Sequence, residues 1–329
     1  MKRKFFTIFL ILFFSITSFS LNSYGWSIHG VMTSKVIEDI DWLSKFSNIT
    51  ITEYNYGDID TEPYNPQFEI VYKEGYIGEK TSAFEILSIY TDEPDWDMDQ
   101  NLKLSPFQKL TGGSSGWRHQ YFITLFGLIR LGDAPKRAQY FYNLALRAFD
   151  RDDYYWGFRF FARALHYAED VSQPLHSMPL PYSVILKNIF DINGLIKIGE
   201  NHHYAFEDYQ EVQTNYLSGD YIRDDYLEVL SIDETMNVRT IKRLAVLNAF
   251  KARRDSGKIF KIQEDFYEKE INNKEGFTIV KENYKKEDIN EYQKDYDEII
   301  KRNLKNFVIT VNTALKLLYE DLIKMGVIQ

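Results

Sequence analysis

The 329-residue chain contains no cysteine. Disulfide staples are therefore excluded, and so is any thiolate metal site. A metal ion held by this chain must be held by imidazole and carboxylate, the donor chemistry of catalytic rather than structural zinc. Basic charge is in deficit: 39 Lys and Arg stand against 48 Asp and Glu, for a net charge of −9. An acidic chain is a poor passive binder of nucleic-acid phosphate or anionic lipid, and a good host for divalent cations. Beyond the first 25 residues there is no long apolar run, so no later segment qualifies as a membrane span. Internal repeats and low-complexity linkers are missing as well.

The start of the chain is different. Lys2, Arg3 and Lys4 precede an apolar run from Phe5 to Phe14, and a Ser/Thr-rich stretch leads to Gly25. A positive region, a short apolar core and a small-residue exit define a secretory signal peptide. An uncleaved anchor is the alternative. Ser23 and Gly25 suit a cut before Trp26, and a cut after Ser20 is also chemically sound. Residues 1–25 are thus expected to direct export, to the periplasm or out of the cell. Residues 26–329 are expected to form the functional domain. Loss of residues 1–25, which carry basic but no acidic side chains, makes the remainder more acidic still.

Apolar spacing predicts a mostly helical, single-domain architecture. A first helix is expected from about His29, with Val36, Ile37, Ile40 and Leu43 on one side. Residues 47–80 lack that periodicity and read as an irregular insertion with a short hairpin. Ser82 to Tyr90 reads as a helix, Asp92 to Gly116 as loop, and Trp117 to Leu131 as helix. Ala134 to Phe149 and Tyr154 to Val171 read as a helical pair around the turn at Asp150 to Asp153. Pro174 stops the second of them. Further helices are expected to begin at Asn201, to run from Asp233 to Arg254, and to run from Asp288 to Met325 as one piece or two. Residues 255–285 read as irregular and charged.

Most of the six histidines sit at telling positions. His166 and Asp170 are four apart on an expected helix, so both leave one face, one turn apart. Such a pair supplies two donors to a tetrahedral zinc site without backbone strain. His176 follows just past Pro174 and returns a third donor to the same region. His203 and Glu207 repeat the four-residue spacing on another helix. His202 is the competitor, but it lies about 100° round the helix and its own partner four residues on is Phe206. His203 is therefore preferred, with His202 a supporting or surface residue. His29, His119 and an acidic run around Asp95 complete the set.

The stretch from Ala138-Gln-Tyr-Phe141 through Asp152-Asp153 to Ala164-Leu-His166 and on to His176 resembles the zinc-dependent phospholipase C family. It resembles the S1/P1 nucleases of the same superfamily less closely. The resemblance is strongest over about residues 134–210 and fair from Trp26 to Ile40. It implies an all-α domain holding two to three zinc ions. The amine and carbonyl oxygen of Trp26 would bind one ion with His29, and Asp170 would bridge that ion to a second. The second would also take Asp95, His119 and His166, and the third would take His176, His203 and Glu207. Asp92 and Asp97 compete with Asp95 for its place; the Pro-Asp-aromatic order favours Asp95, with Asp92 next.

The implied chemistry is metal-assisted hydrolysis of a phosphodiester, in which Asp95 orients or deprotonates the attacking water or serves only as a ligand. Glu169 or Asp208 would hold the other nitrogen of a ligand histidine. Trp96, Trp117 and Tyr121 flank the expected ligands. They would hold a quaternary ammonium head group in a phospholipase or stack on a base in a nuclease. The acidic charge favours a phospholipid head group, met by transient contact with a membrane surface, over nucleic acid.

Overall fold

The computed structural model describes residues 28–124, 129–213, 224–274, 277 and 291–328. The expected export signal and Trp26 lie outside them. Helix α1 (His29–Ile37) opens the described chain, and a 3₁₀ turn, Asp41–Phe46, follows it. The long first helix expected from periodicity is thus broken after Ile37. Strands β1 (Ile49–Thr50) and β2 (Lys80–Thr81) pair antiparallel and close the 47–80 segment at its base. Between them the segment is irregular, as its sequence indicated. Helix α2 (Ala83–Tyr90) is capped by Ser82, whose side chain accepts from the Glu85 amide.

A 3₁₀ turn at Glu93–Asp95 and another at Gln108–Thr111 lead to helix α3 (Ser114–His119). The helix expected from Trp117 to Leu131 does not form. Helix α3 ends at His119, and strands β3 (Phe122–Thr124) and β4 (Ile129–Leu131) pair as a hairpin. Both strands are rich in aromatic and branched side chains that favour extended backbone.

Helices α4 (Ala134–Asp150) and α5 (Tyr154–Asp170) pack side by side as the centre of the fold. Asp153 caps α5 by accepting from the Trp156 amide. Every residue of α5 from Tyr155 to Asp170 is buried. Its Phe158, Phe160, Phe161 and Leu165 each contribute roughly 1.5–3 kcal/mol by leaving water. Total burial also means that the charged groups of α5 must find partners inside the protein.

The chain after α5 turns at once. Pro174 does more than stop a helix: it opens the short helix α6 (Pro174–Ser177), whose first amides are taken by the Gln173 side chain. Helices α7 (Tyr182–Lys187) and α8 (Ile192–Gln213) follow. Helix α8 starts nine residues before the expected Asn201, because Asp191 accepts from the Gly194 amide at its start.

Helix α9 is Asp224–Leu230, and α10 (Ile241–Ala252) begins well after the expected Asp233. Thr240 caps it, accepting from the Arg243 amide. Helix α11 (Ser256–Tyr267) forms where irregular chain was expected, its apolar Ile259 and Phe260 buried. Helix α12 (Glu291–Lys324) is one continuous element packed along α9, α10 and α11. The described fold is all-α apart from the two short hairpins. No helix among the described residues is long and apolar enough to cross a membrane.

Candidate metal centre

Three groups of donor side chains gather around the end of α5: His29, His166 and Asp170; Asp95, His119 and His166; and His176, His203 and Glu207. Within each group the donor atoms lie within 4.8 Å of one another. Eight of the nine expected ligands are therefore brought together, and the ninth, Trp26, lies outside the described residues.

The central group is the tightest. His119 Nδ1 lies 2.9 Å from His166 Nε2, 3.5 Å from Asp95 Oδ1 and 3.0 Å from Asp170 Oδ2. His166 Nε2 lies 3.6 Å from Asp95 Oδ1 and 3.3 Å from Asp170 Oδ2. A tetrahedral zinc site with bonds of about 2.0–2.1 Å has donor–donor edges of about 3.3–3.4 Å. The observed spacings scatter around that edge. Asp170 turns its other oxygen, Oδ1, toward His29 Nε2 at 3.6 Å and His176 Nδ1 at 3.1 Å. In the third group His203 Nε2 lies 2.9 Å from His176 Nε2 and 2.6 Å from Glu207 Oε1. Asp95 Oδ2 and Asp170 Oδ1 are buried without a hydrogen-bond partner, an arrangement a bound cation would satisfy.

The surrounding chain presents each ring. His166 Nδ1 meets the Thr91 carbonyl at 2.7 Å, which leaves Nε2 facing the group. His176 Nδ1 meets the His119 carbonyl at 3.1 Å, again leaving Nε2 inward. Glu169 Oε2 holds His29 Nδ1 at 2.7 Å, while Oε1 accepts from Thr33 Oγ1 at 2.9 Å. One carboxylate on α5 thus pins two successive turns of α1. Asp92 belongs to none of the three donor groups and accepts from the Gly30 amide at 3.0 Å. That satisfies a first-turn amide of α1, which has no side-chain cap of its own.

His202 is not a surface residue, and it belongs to none of the three donor groups. It is fully buried, with its nitrogens 2.6 Å from Gln263 Oε1 and 3.1 Å from Asn272 Oδ1 and its ring stacked on Phe260.

Burial would raise the Asp170 carboxyl, but His166, His119 and His176 outweigh it and hold it well below the usual carboxylate range. Burial would lower His119, yet Asp170 and Asp99 carry it up to about 10. Burial would raise Glu207, but His203 and His176 bring it down to about 2. Burial pushes Asp95 up to about 7, with the neighbouring Asp170 adding to it against the pull of His119. The carboxylates of this cluster favour positive charge beside them, which raises His119 and His176, whereas burial holds His166 well below the usual imidazole range.

Two buried carboxylates escaped the sequence reading. Glu93, two residues before Asp95, is fully buried between Arg159, 2.5 Å away, and Arg163, 2.6 Å away. Asp99 is buried between Arg118, Arg137, Tyr167 and His119. No local pattern marks either one; both are recognisable only from the arginines that the fold turns inward. The rings expected to hold substrate are largely committed elsewhere. Trp117 and Tyr121 are buried, and the Trp117 indole donates to Asp133 at 2.9 Å. The Lys73 ammonium already sits 3.4 Å over the Trp96 ring.

The cluster defines a class of site: neighbouring groups of imidazole and carboxylate donors that could hold metal ions. No family model matches the chain, and no curated protein sequence does. Among solved structures, the alpha-toxin of Clostridium perfringens from an avian strain is similar at a TM-score of 0.35 and 13% identity. The match covers 93% of this chain and 65% of that one, so this chain spans about two-thirds of its length. A likeness that slight assigns neither fold nor activity.

Proposed function

We propose that this chain is an exported, zinc-dependent phosphodiester hydrolase, phospholipase C-like in substrate, working with two to three zinc ions. The observation that carries the reading is Asp170, whose two oxygens face different donor groups on either side of it. A carboxylate shared in this way suits two cations a few ångströms apart, the arrangement that phosphoryl-transfer hydrolases use. Bound zinc would lower the pKa of a water molecule and neutralise charge on the attacking and leaving oxygens.

The chain's own residues have distinct roles in that reading. Asp170 would offer one oxygen to each of two donor groups. Thr91, the His119 carbonyl and Glu169 hold the rings of His166, His176 and His29 in the orientation that points the opposite nitrogen inward. In this reading Asp95, whose Oδ2 is buried without a hydrogen-bond partner, would orient the attacking water. Cleavage before Trp26 would add a free amine and a carbonyl oxygen beside His29 and Asp170.

The substrate class rests on charge and exposure. The acidic chain disfavours a polyanionic strand. Between α6, which carries His176, and α8, which carries His203, Tyr182, Leu186 and Phe190 are exposed by 44%, 67% and 89%. Exposed apolar groups in the stretch that links two donor-bearing helices suit transient contact with a lipid surface.

Purified protein should be assayed on phosphatidylcholine vesicles, on single-stranded DNA and RNA, and on bis-p-nitrophenyl phosphate, with and without chelator. Chelator-sensitive hydrolysis, faster on lipid than on nucleic acid, is the expected result. Faster turnover of nucleic acid would move the protein to the nuclease reading. Inactivity on all three by zinc-loaded protein would overturn the assignment as an enzyme.

A further inference from the structure

We infer that Asp99 is the positioning residue for His119, and that the 47–80 segment sets Asp99 through Glu62. The inference rests on the zinc reading above and concerns how one donor is aimed.

His166, Asp170, His203 and Glu207 project from long helices, where backbone geometry fixes the side-chain direction. His119 has no such support. It is the last residue of the six-residue helix α3, at the point where the chain turns into β3. Something else must hold its ring with Nδ1 toward the donor group.

The structure supplies one group that can do so. His119 Nε2, on the far side of the ring from the donors, is buried and lies 3.2 Å from Asp99 Oδ2, a charged contact that is not aligned as a hydrogen bond. Tyr167 donates to the same oxygen at 2.5 Å, and Arg118 donates to Oδ1 at 2.5 Å. Arg137 Nη2 stands 3.5 Å from Oδ1. The carboxylate is fully buried and anchored on three sides, so its position is stiff. A carboxylate against Nε2 keeps the proton there, leaves Nδ1 as the donor and raises the basicity of the ring.

The two arginines are themselves held from outside. Glu62 Oε2 accepts from Arg137 at 2.7 Å and from Arg118 at 3.3 Å. The backbone around Glu62 is tied down, since the Thr61 and Glu62 amides both donate to the Tyr140 hydroxyl. The irregular segment thereby reaches the metal centre, because its Glu62 keeps two arginines turned toward Asp99.

The test compares zinc binding by chelator competition in the full chain, in Asp99→Asn and in Glu62→Gln. Tyr142→Phe serves as a control that loses a partly buried hydrogen bond, to Asp321, far from His119 in the sequence. Asp99→Asn should weaken one zinc equivalent by about 10–100-fold and leave the others unchanged. Glu62→Gln should weaken the same equivalent by a few-fold, and it reports the same coupling should Asp99→Asn fail to fold. Tyr142→Phe should lower thermal stability without moving any zinc affinity. Nitrogen-15 spectra of the zinc-loaded rings should show a downfield Nε2 proton on His119 that Asp99→Asn loses. Zinc affinities and His119 signals identical in wild type and Asp99→Asn would overturn the positioning role and leave the metal centre standing. A wild type that binds no zinc would overturn both.

Discussion

His176 Nδ1 lies 3.1 Å from the backbone carbonyl of His119, so the ring of one donor group is oriented by the main chain of another. The Tyr121 amide donates back to the His176 carbonyl at 2.9 Å. The segment after α3 and the short helix α6 are therefore locked together, and the groups containing His119 and His176 share a scaffold although they share no residue.

Asp170 is the residue whose charge matters most to this arrangement. Asp170→Asn replaces a carboxylate between two groups with a neutral amide of the same shape. Its activity on bis-p-nitrophenyl phosphate should fall by about 100-fold or more. A variant within a few-fold of wild type would show that the shared-carboxylate assignment is wrong.

The donor groups differ in how they are linked, and stoichiometry reads that difference. His166 belongs to two groups, whereas His203 belongs to one. Elemental analysis should find that His203→Ala loses one zinc per chain and that His166→Ala loses more. Equal losses would contradict the grouping.

Helix α1 approaches α2 closely at Gly30. A methyl group there would meet the Ser88 carbonyl oxygen at 2.2 Å and Asp92 Oδ2 at 2.7 Å. Gly30→Ala should push α1 outward, cost about 1–3 kcal/mol of stability, and carry the adjacent His29 away from Asp170. Denaturant unfolding and zinc analysis of this variant should change together; loss of stability with full zinc content would separate packing from the site.

The 47–80 segment should fail first at high pH. Tyr54, Tyr64 and Tyr140 all donate to Asp60. Burial, with the Asp60 hydrogen bond adding to it, pushes the Tyr140 phenol up to about 12. The folded state thus holds this proton more tightly than the unfolded chain, where the phenol titrates near about 10. The stability it contributes is complete below about pH 10 and is lost as pH climbs from about 10 to about 12. Circular dichroism should show alkaline unfolding over that window, with a shallower pH dependence in Tyr140→Phe. An unchanged slope in that variant would contradict the assignment.

The sequence made legible whatever depends on helical repeat. His166 with Asp170 and His203 with Glu207 were readable because a four-residue spacing projects both side chains from one face. Pro174 and the nearby His176 were readable because proline restricts its neighbours. Asp95 and His119 could be nominated from resemblance, but their meeting is a tertiary event between a 3₁₀ turn and the end of α3. Asp99 and Glu93 were not legible, because nothing local tells a buried arginine such as Arg159 from a solvated one. The residues after Tyr121 misled for another reason. Their apolar pattern suits either period over so short a run, and branched and aromatic side chains settled it as a hairpin.

Zinc content tests the central claim most directly. Protein purified without chelators should carry two to three zinc ions per chain by elemental analysis. Chelator treatment should then lower its thermal stability, since a ligand present at about 100 times its dissociation constant adds about 2.7 kcal/mol to the folded state. Less than one zinc per chain, with a melting temperature that chelator does not move, would contradict the account.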